Sequence, residues 1–272
     1  MKDTKFVAID LETTGKYPLS AEICEVAMIK FDHTGVLERF ETLVRPERGM
    51  TKESEAVHGL SLESLKGAPK IEEVVPKIID FTQEASLLGH NLPFDLGFLA
   101  FEFDKYYKGK WWLEAFKSPN FCTSLISLQT HPKLTTHRLK YLTEYFSVPV
   151  SPNHRAMQDA EACMEVFFKI TKEVISFEEL VKVQKDSLLF EEFSTRVLME
   201  ANENLKAMVQ ACEIQADFEL MYSKGSKKNK WRKLKAKGLV MKTKGDSFVV
   251  GVDEGDVQTK RFMLDKIVDT KV

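Results

Sequence analysis

Three strand-like segments follow one another at the head of this chain before any helical spacing occurs. They are KFVAIDL (5–11), EICEVAMIKFD (22–32) and GVLERFETLV (35–44), the last two joined by the turn DHTG. Such a run predicts a meander. Helical spacing follows over APKIEEVVPKIIDFTQE (68–84), then a short apolar strand in ASLLGHN (85–91) and a helix in LPFDLGFLAFEFDKYY (92–107). Further helical stretches fall around 122–130, 138–146 and 156–172. Strands first as a meander and then alternating with helices predict an α/β domain, a mixed sheet flanked by helices. Pro69 and Pro93 suit first helical turns, whereas Pro76 predicts a kink or a break.

Alternation along the first strand puts Asp10 and Glu12 on the same side, where its apolar run ends. Their charges repel, so either that end is solvated or something positive sits between them. Asp95 lies in HNLPFD (90–95), where a strand gives way to a helix. Asp159 closes HRAMQD (154–159) at another helix start, with His154 five residues earlier. Hard carboxylate oxygens favour Mg²⁺ or Mn²⁺ over zinc. Two such ions about 3.5–4 Å apart suit phosphodiester hydrolysis. A neutral histidine, of unperturbed pKa about 6.5, suits the removal of a proton from water.

DLETTG (10–15), HNLPFD and HRAMQD, in this order, resemble the three motifs of the DEDD 3′–5′ exonucleases. The His-x-x-x-x-Asp form of the third marks the histidine branch. The chain looks most like the proofreading epsilon subunits of bacterial replicative polymerases, over about residues 4–172. AVHGLSLESLKGAP (56–69) and FDLGFLAFEF (94–103) extend the likeness. The resemblance implies a ribonuclease H-like fold and metal-dependent exonuclease activity. Asp10, Glu12, Asp95 and Asp159 would hold two divalent ions, Mg²⁺ or Mn²⁺, with His154 as general base. The backbone around Thr13 and Thr14 would meet the terminal nucleotide, with Asn91 and Phe94 beside it. His58 stands between a nucleotide contact and a role in packing its turn. The implied substrate is the 3′ end of single-stranded DNA or RNA, DNA favoured, with a replication or repair protein as a further partner. His90 reads as a structural hydrogen-bonding residue, and His33, His131 and His137 as surface or turn residues. Trp111 and Trp112 read as core aromatics or as a stacking platform for a single strand.

From about 177 to 213 the chain reads as helical without turn punctuation, a linker packing on its neighbours, with a dimerising helix pair as the sharper alternative. Beyond it, ADFELMYSKG, KGLVMKTKG, DSFVVGVDEG and VQTKRFMLDKI are short alternating segments between glycine-containing turns, predicting a small all-β domain. Residues 203–272 resemble a WYL domain, a small Sm-like β-barrel, which implies a nucleic acid or nucleotide ligand. Ser247, Phe248 and Val249 stand in place of that family's Trp-Tyr-Leu triplet, no proline precedes them in KWRKLKAKGL, and Lys266 stands where an arginine is common. The expected division is therefore 1–172 exonuclease, 173–202 helical linker and 203–272 small β domain.

Charge separates these parts. The net charge of the chain is −2, but KGSKKNKWRKLKAK (224–237) holds eight basic residues and no acid. A basic run with an interleaved aromatic suits a phosphate backbone, which marks Lys227, Lys228, Lys230, Trp231 and Arg232 as candidate nucleic-acid contacts. The four cysteines are scattered without a CxxC pair, against a zinc site or a disulfide framework. No apolar h-region and no membrane-length run occur, so the expectation is a soluble cytoplasmic protein without a membrane partner. Two other readings compete with a nuclease: a nuclease-like binding module recruited to a replication or repair complex, and a ligand-sensing regulator.

Overall fold

In the computed structural model, which describes residues 4–109, 112–150, 152–174, 176–201, 204–214, 216–240 and 247–271, the expected meander is formed by β1 (Phe6–Thr13), β2 (Ile23–Asp32) and β3 (Gly35–Leu43). β4 (Ser86–Gly89) adds in parallel to β1, and β5 (Phe121–Cys122) in parallel to β4, giving the order β3-β2-β1-β4-β5. The mixed α/β arrangement matches the expectation.

Side-chain alternation along β1 sorts the two cores. Phe6 and Ala8 join Ala27, Ile29 and Phe31 of β2 on one face, and Val7, Ile9 and Leu11 join Val26 and Met28 on the other. The second face packs α2 (Ile71–Thr82) and α3 (Pro93–Tyr106), with α1 (Lys52–His58) preceding them. α4 (Trp112–Ala115) places Trp112 fully inside this core, edge-on to Phe103 at 5.4 Å, so it is a packing residue; Trp111 lies outside the described residues. The first face packs α5 (Thr123–Thr130), α6 (Leu139–Tyr145) and α7 (Ala156–Ile170). Phe31 and Phe167, about 1% exposed, meet edge to face there, each burial contributing about 1.5–3 kcal/mol.

Two expectations are revised. Of the kink or break expected at Pro76, the break does not occur, since α2 runs on through it. Val74 and Val75 before it and Ile78 and Ile79 after it are all buried, and their packing outweighs the one hydrogen bond that proline removes. The stretch 177–213 is not one helix but α8 (Phe177–Gln184), a 3₁₀ turn at Phe190–Glu192, α9 (Thr195–Ala201) and α10 (Asn204–Glu213). Asn120 is the reason. Its side-chain amide donates to the Leu188 carbonyl at 2.8 Å, its backbone N–H to Ser187 at 2.8 Å, and Gln184 donates back to Asn120 at 2.8 Å. Those carbonyls are thereby taken from helical pairing, and Lys185 and Leu188 turn into positive φ (68° and 45°).

The tail forms a second sheet, wholly antiparallel, of β6 (Asp217–Tyr222), β7 (Trp231–Val240), β8 (Phe248–Asp253), β9 (Thr259–Met263) and β10 (Ile267–Lys271). Its order is β10-β6-β7-β8-β9, and among the described residues the ends β10 and β9 do not pair, so it is an open sheet where a closed barrel was expected. The expected strand KGLVMKTKG is described only to Val240, as the end of β7; residues 241–245 lie outside the described residues. Met208, Val209 and Cys212 of α10 pack with Phe218, Leu234 and Leu239 in a cluster continuous with that of α3. No helix among the described residues is long and apolar enough to cross a membrane.

Candidate active site

Because Asp10 and Glu12 share the parity of Phe6 and Ala8, they project toward α7, the helix that carries Asp159 in its first turn. Asp95 lies in the first turn of α3, where Pro93 starts the helix, and its Oδ1 accepts the Leu11 N–H of β1 at 3.1 Å. Asp159 Oδ1 accepts the Asn153 N–H at 3.0 Å. Both aspartates thus sit at positive helix ends and are held by a backbone donor. The register of β1 on β2 shifts between Glu12 and Thr13, the irregularity often found where a strand aims functional side chains.

These acids feel one another. Burial, then the charges of Asp95, Asp159 and Glu12, hold Asp10 well above the usual carboxylate range. Burial and then Asp159 push Glu12 up to about 8. Burial also lifts Asp95 to about 8 against two backbone hydrogen bonds, and raises Asp159 against the Asn153 N–H and His154. Among the described residues no group of three or more Asp, Glu, His or Cys side chains is closed into a cage that could grip a metal ion as it stands. The donor chemistry nevertheless fits hard divalent cations: these are oxygen ligands whose pKa values stay raised by burial even though Arg155 lowers Glu12 and His154 lowers Asp159.

His154 is exposed on the loop before α7, with φ of 60° in the left-handed region. Thr14 exchanges hydrogen bonds with Glu22 and accepts one from Thr51 N–H at 2.9 Å, fixing the strand end; Thr13 Oγ1 donates to Gly15 at 2.7 Å. Asn91, at φ 65°, accepts the Phe94 N–H at 3.0 Å as the chain enters α3. His58 is buried behind the strand end, its Nδ1 accepting the Leu60 N–H at 3.0 Å; burial keeps it below its usual pKa. His90 pairs with Thr123 at 2.8 Å, and burial pushes it down to about 4.

Residues 7–167 match a family model described as Exonuclease. The chain belongs to this exonuclease family. It is an enzyme of the 3′–5′ exonuclease class. It is 32% identical over 172 residues to a DNA polymerase III subunit epsilon of Aquifex aeolicus, a match covering 63% of this chain and 83% of that protein. It is 33% identical over 171 residues to a DNA polymerase III PolC-type of Halalkalibacterium halodurans, covering 63% of this chain but only 12% of that longer one. By fold, it is similar to Escherichia coli exonuclease I in complex with a dA16 oligonucleotide, with a TM-score of 0.54 at 16% identity, over 92% of this chain and 55% of that one. The likeness of fold therefore reaches past the exonuclease domain into the second sheet.

The exonuclease domain also contains a half-buried ion pair that sequence reasoning passed over. Glu25, the cross-strand partner of Glu12, is fully buried. Its carboxylate accepts from Arg155 Nε at 3.1 Å and Nη2 at 2.6 Å, and from the Ala156 N–H, the first residue of α7, at 3.1 Å. The signal was present: an acid within the apolar run ICEVAM, at the parity that faces the core. Among the C-terminal candidates, Lys228 and Lys230 lie exposed in the turn before β7, and Trp231 is 39% exposed with the Lys271 ammonium 4.4 Å over its ring. Arg232 is buried beside Asp253 at 3.4 Å, and Lys227 meets the same carboxylate at 3.3 Å.

Proposed function

We propose that this chain is a divalent-metal-dependent enzyme that releases nucleoside monophosphates from the 3′ end of single-stranded nucleic acid, DNA in preference to RNA. One observation carries the reading: burial raises the pKa of four acids from β1, α3 and α7 at the end of the central strand, and the charges of Asp95 and Asp159 raise Asp10 and Glu12 further. Asp10, Glu12, Asp95 and Asp159 are the residues that would hold two Mg²⁺ or Mn²⁺ ions. When bound, such ions neutralise charge at the scissile phosphate and make water a better nucleophile near neutral pH. An imidazole nitrogen of His154 takes the proton of the attacking water. The water oxygen bonds to phosphorus, the bond to the 3′-oxygen of the preceding nucleotide breaks, and that oxygen gains a proton. Thr13, Thr14, Asn91 and Phe94 border the terminal nucleotide, with His58 supporting the strand end from behind.

The division into an exonuclease domain (1–172), a connecting segment (173–202) and a small β domain (203–272) belongs to the same proposal. The second domain, WYL-like by sequence, is assigned a nucleic acid or nucleotide ligand, with Lys227, Lys228 and Lys230 of its basic turn and Trp231 at the start of β7 as the accessible candidates. The names of the relatives, an epsilon subunit and PolC, support a replication or repair complex in the cytoplasm as the setting. The test uses matched single- and double-stranded DNA and RNA oligomers labelled away from the 3′ end, with Mn²⁺, Mg²⁺ or EDTA. Stepwise shortening of single-stranded DNA with either metal and none in EDTA is expected. Binding of the same strands without shortening would overturn the proposal in favour of a binding module.

A further inference from the structure

A groove of about 510 Å³ lies where the two bodies meet, lined by Thr14, Gly15, Lys16 and Arg48 from one and Lys237 and Thr259 from the other. Thr14 directly follows β1, the strand that carries Asp10 and Glu12, so the groove begins where that strand ends. Its far wall is the end of β7. Exposure alternates along that strand: Trp231, Lys233, Lys235 and Lys237 face solvent, while Arg232, Leu234 and Ala236 are buried. The solvent face thus carries a cation about every 7 Å over a run of about 13 Å, which Trp231 extends to about 20 Å, ending in the groove. Asp217, across from Lys235, pairs with Lys233 at 3.4 Å, and Arg261 stands exposed two strands away.

Lys237 joins the two parts. The register of β7 on β8 shifts between Ala236 and Gly238, which leaves Lys237 without an opposite residue, a bulge of the kind that re-aims a side chain. Its carbonyl accepts the hydroxyl of Ser20, on the loop that follows the acids. The bulge, the docked loop and the groove place one end of a lysine stripe at the mouth of the site.

We propose that the groove and the solvent face of β7 form one track for the sugar–phosphate backbone of a single strand, 5′ of the nucleotide at Thr14. This rests on the exonuclease reading and adds the path by which substrate reaches it. The basic turn at 224–230 lies at the opposite end of β7 and is the entrance of that track.

The test is binding by the full chain in EDTA, where cleavage is blocked, of fluorescent oligothymidylates of 4, 8 and 16 nucleotides at several salt concentrations. Wild-type affinity is expected to rise with length. Replacing Lys233, Lys235 and Lys237 together by Glu should remove most of the gain from 4 to 16 nucleotides. It should also flatten the plot of log affinity against log salt by about 2, at about 0.7 for each phosphate no longer neutralised. The corresponding triple Gln variant, which introduces no repulsion, should flatten the slope by a similar amount. An unchanged slope and length dependence in both variants would overturn the track while leaving the exonuclease reading intact. Wild-type protein that shows the length dependence in EDTA yet shortens no strand with Mn²⁺ would do the reverse.

Discussion

Glu25 and Arg155 form an ion pair in which one partner is sealed from water and the other is not: their side chains are 1% and 45% exposed. The pair anchors the residue directly after His154, and the Asn153 N–H bond to Asp159 anchors the residue directly before it. Between two such clamps His154 keeps its left-handed backbone, a conformation that costs on the order of 1 kcal/mol and needs neighbours to hold it.

The unequal exposure predicts an unequal effect of mutation. Arg155→Ala strands a carboxylate that cannot reach solvent and should cost about 3–5 kcal/mol in urea unfolding. Glu25→Gln frees a guanidinium that can turn into water, so its cost should be smaller, with turnover still reduced because the His154 loop loosens. Arg155→Lys should recover only part of the loss, since a lysine cannot reproduce the two-pronged contact. A Glu25 variant less stable than Arg155→Ala would show that the carboxylate is not the stranded partner.

Metal-free protein should lose stability with rising pH. Glu12 and Asp95 are held at about 8 in the fold, against 4.5 and 3.8 for the ordinary groups. The fold therefore keeps protons that the unfolded chain releases. Stability is full below the ordinary carboxylate range, declines as pH climbs through it, and is lowest above about 8. Melting temperatures in EDTA between pH 4.5 and 8.5 measure this, and Mn²⁺ added at pH 8 should restore most of the loss. A flat profile in EDTA would mean the four carboxylates do not share one desolvated site.

Two substitutions separate holding a cation from moving a proton. Asp10→Asn removes one of the opposed charges, so at pH 8 in EDTA it should stabilise the protein by on the order of 1 kcal/mol. It should also abolish turnover and the stabilisation by Mn²⁺. His154→Gln should lower turnover by about 10²–10⁴-fold while keeping the Mn²⁺-induced rise in melting temperature. Calorimetric or fluorescence melts beside an oligonucleotide assay distinguish the two patterns. Loss of the Mn²⁺ response in His154→Gln would make His154 a ligand rather than the base.

The acids were legible in the sequence as candidates because they lie near the end of a strand or in the first turn of a helix, where alternation and proline mark the boundary. Asp10 with Glu12, and Asp95 two residues after Pro93, are of that kind. Glu25 and Arg155 were missed because their meaning lies in a contact between residues 130 positions apart, and only the packing of α7 on β2 brings them together. The breaks in 177–213 were invisible for a related reason. Lys185 and Leu188 adopt positive φ without glycine, asparagine or proline to announce it, and the cause is Asn120, far away in the chain. At Pro76 the break, one of the two outcomes the local rule offered, does not occur because residues on both sides of it are packed. In the tail, alternation revealed the strands but not whether their sheet closes, which depends on which edges meet.

Gly238 predicts how the second sheet is held against the exonuclease domain. A Cβ at this position would fall 2.2 Å from Tyr17 Cβ and 2.6 Å from its Cγ, the stem of the side chain rather than a movable tip. Gly238→Ala should therefore push the sheet off the Tyr17 loop, costing about 1–3 kcal/mol, the usual range for overpacking. Amide exchange should quicken at Tyr17–Ala21, where Ser20 and Ala21 donate to the Tyr17 carbonyl at 3.0 and 2.9 Å. Tyr17→Gly destabilises on its own by removing packing, but it also removes the atoms that the new methyl group would strike. Combined with Gly238→Ala it should give a chain clearly more stable than the sum of the two single losses predicts. Strict additivity in that cycle would mean that Gly238 is not where the two bodies touch, and the close approach at the mouth of the acidic site would have to be sought elsewhere along β7.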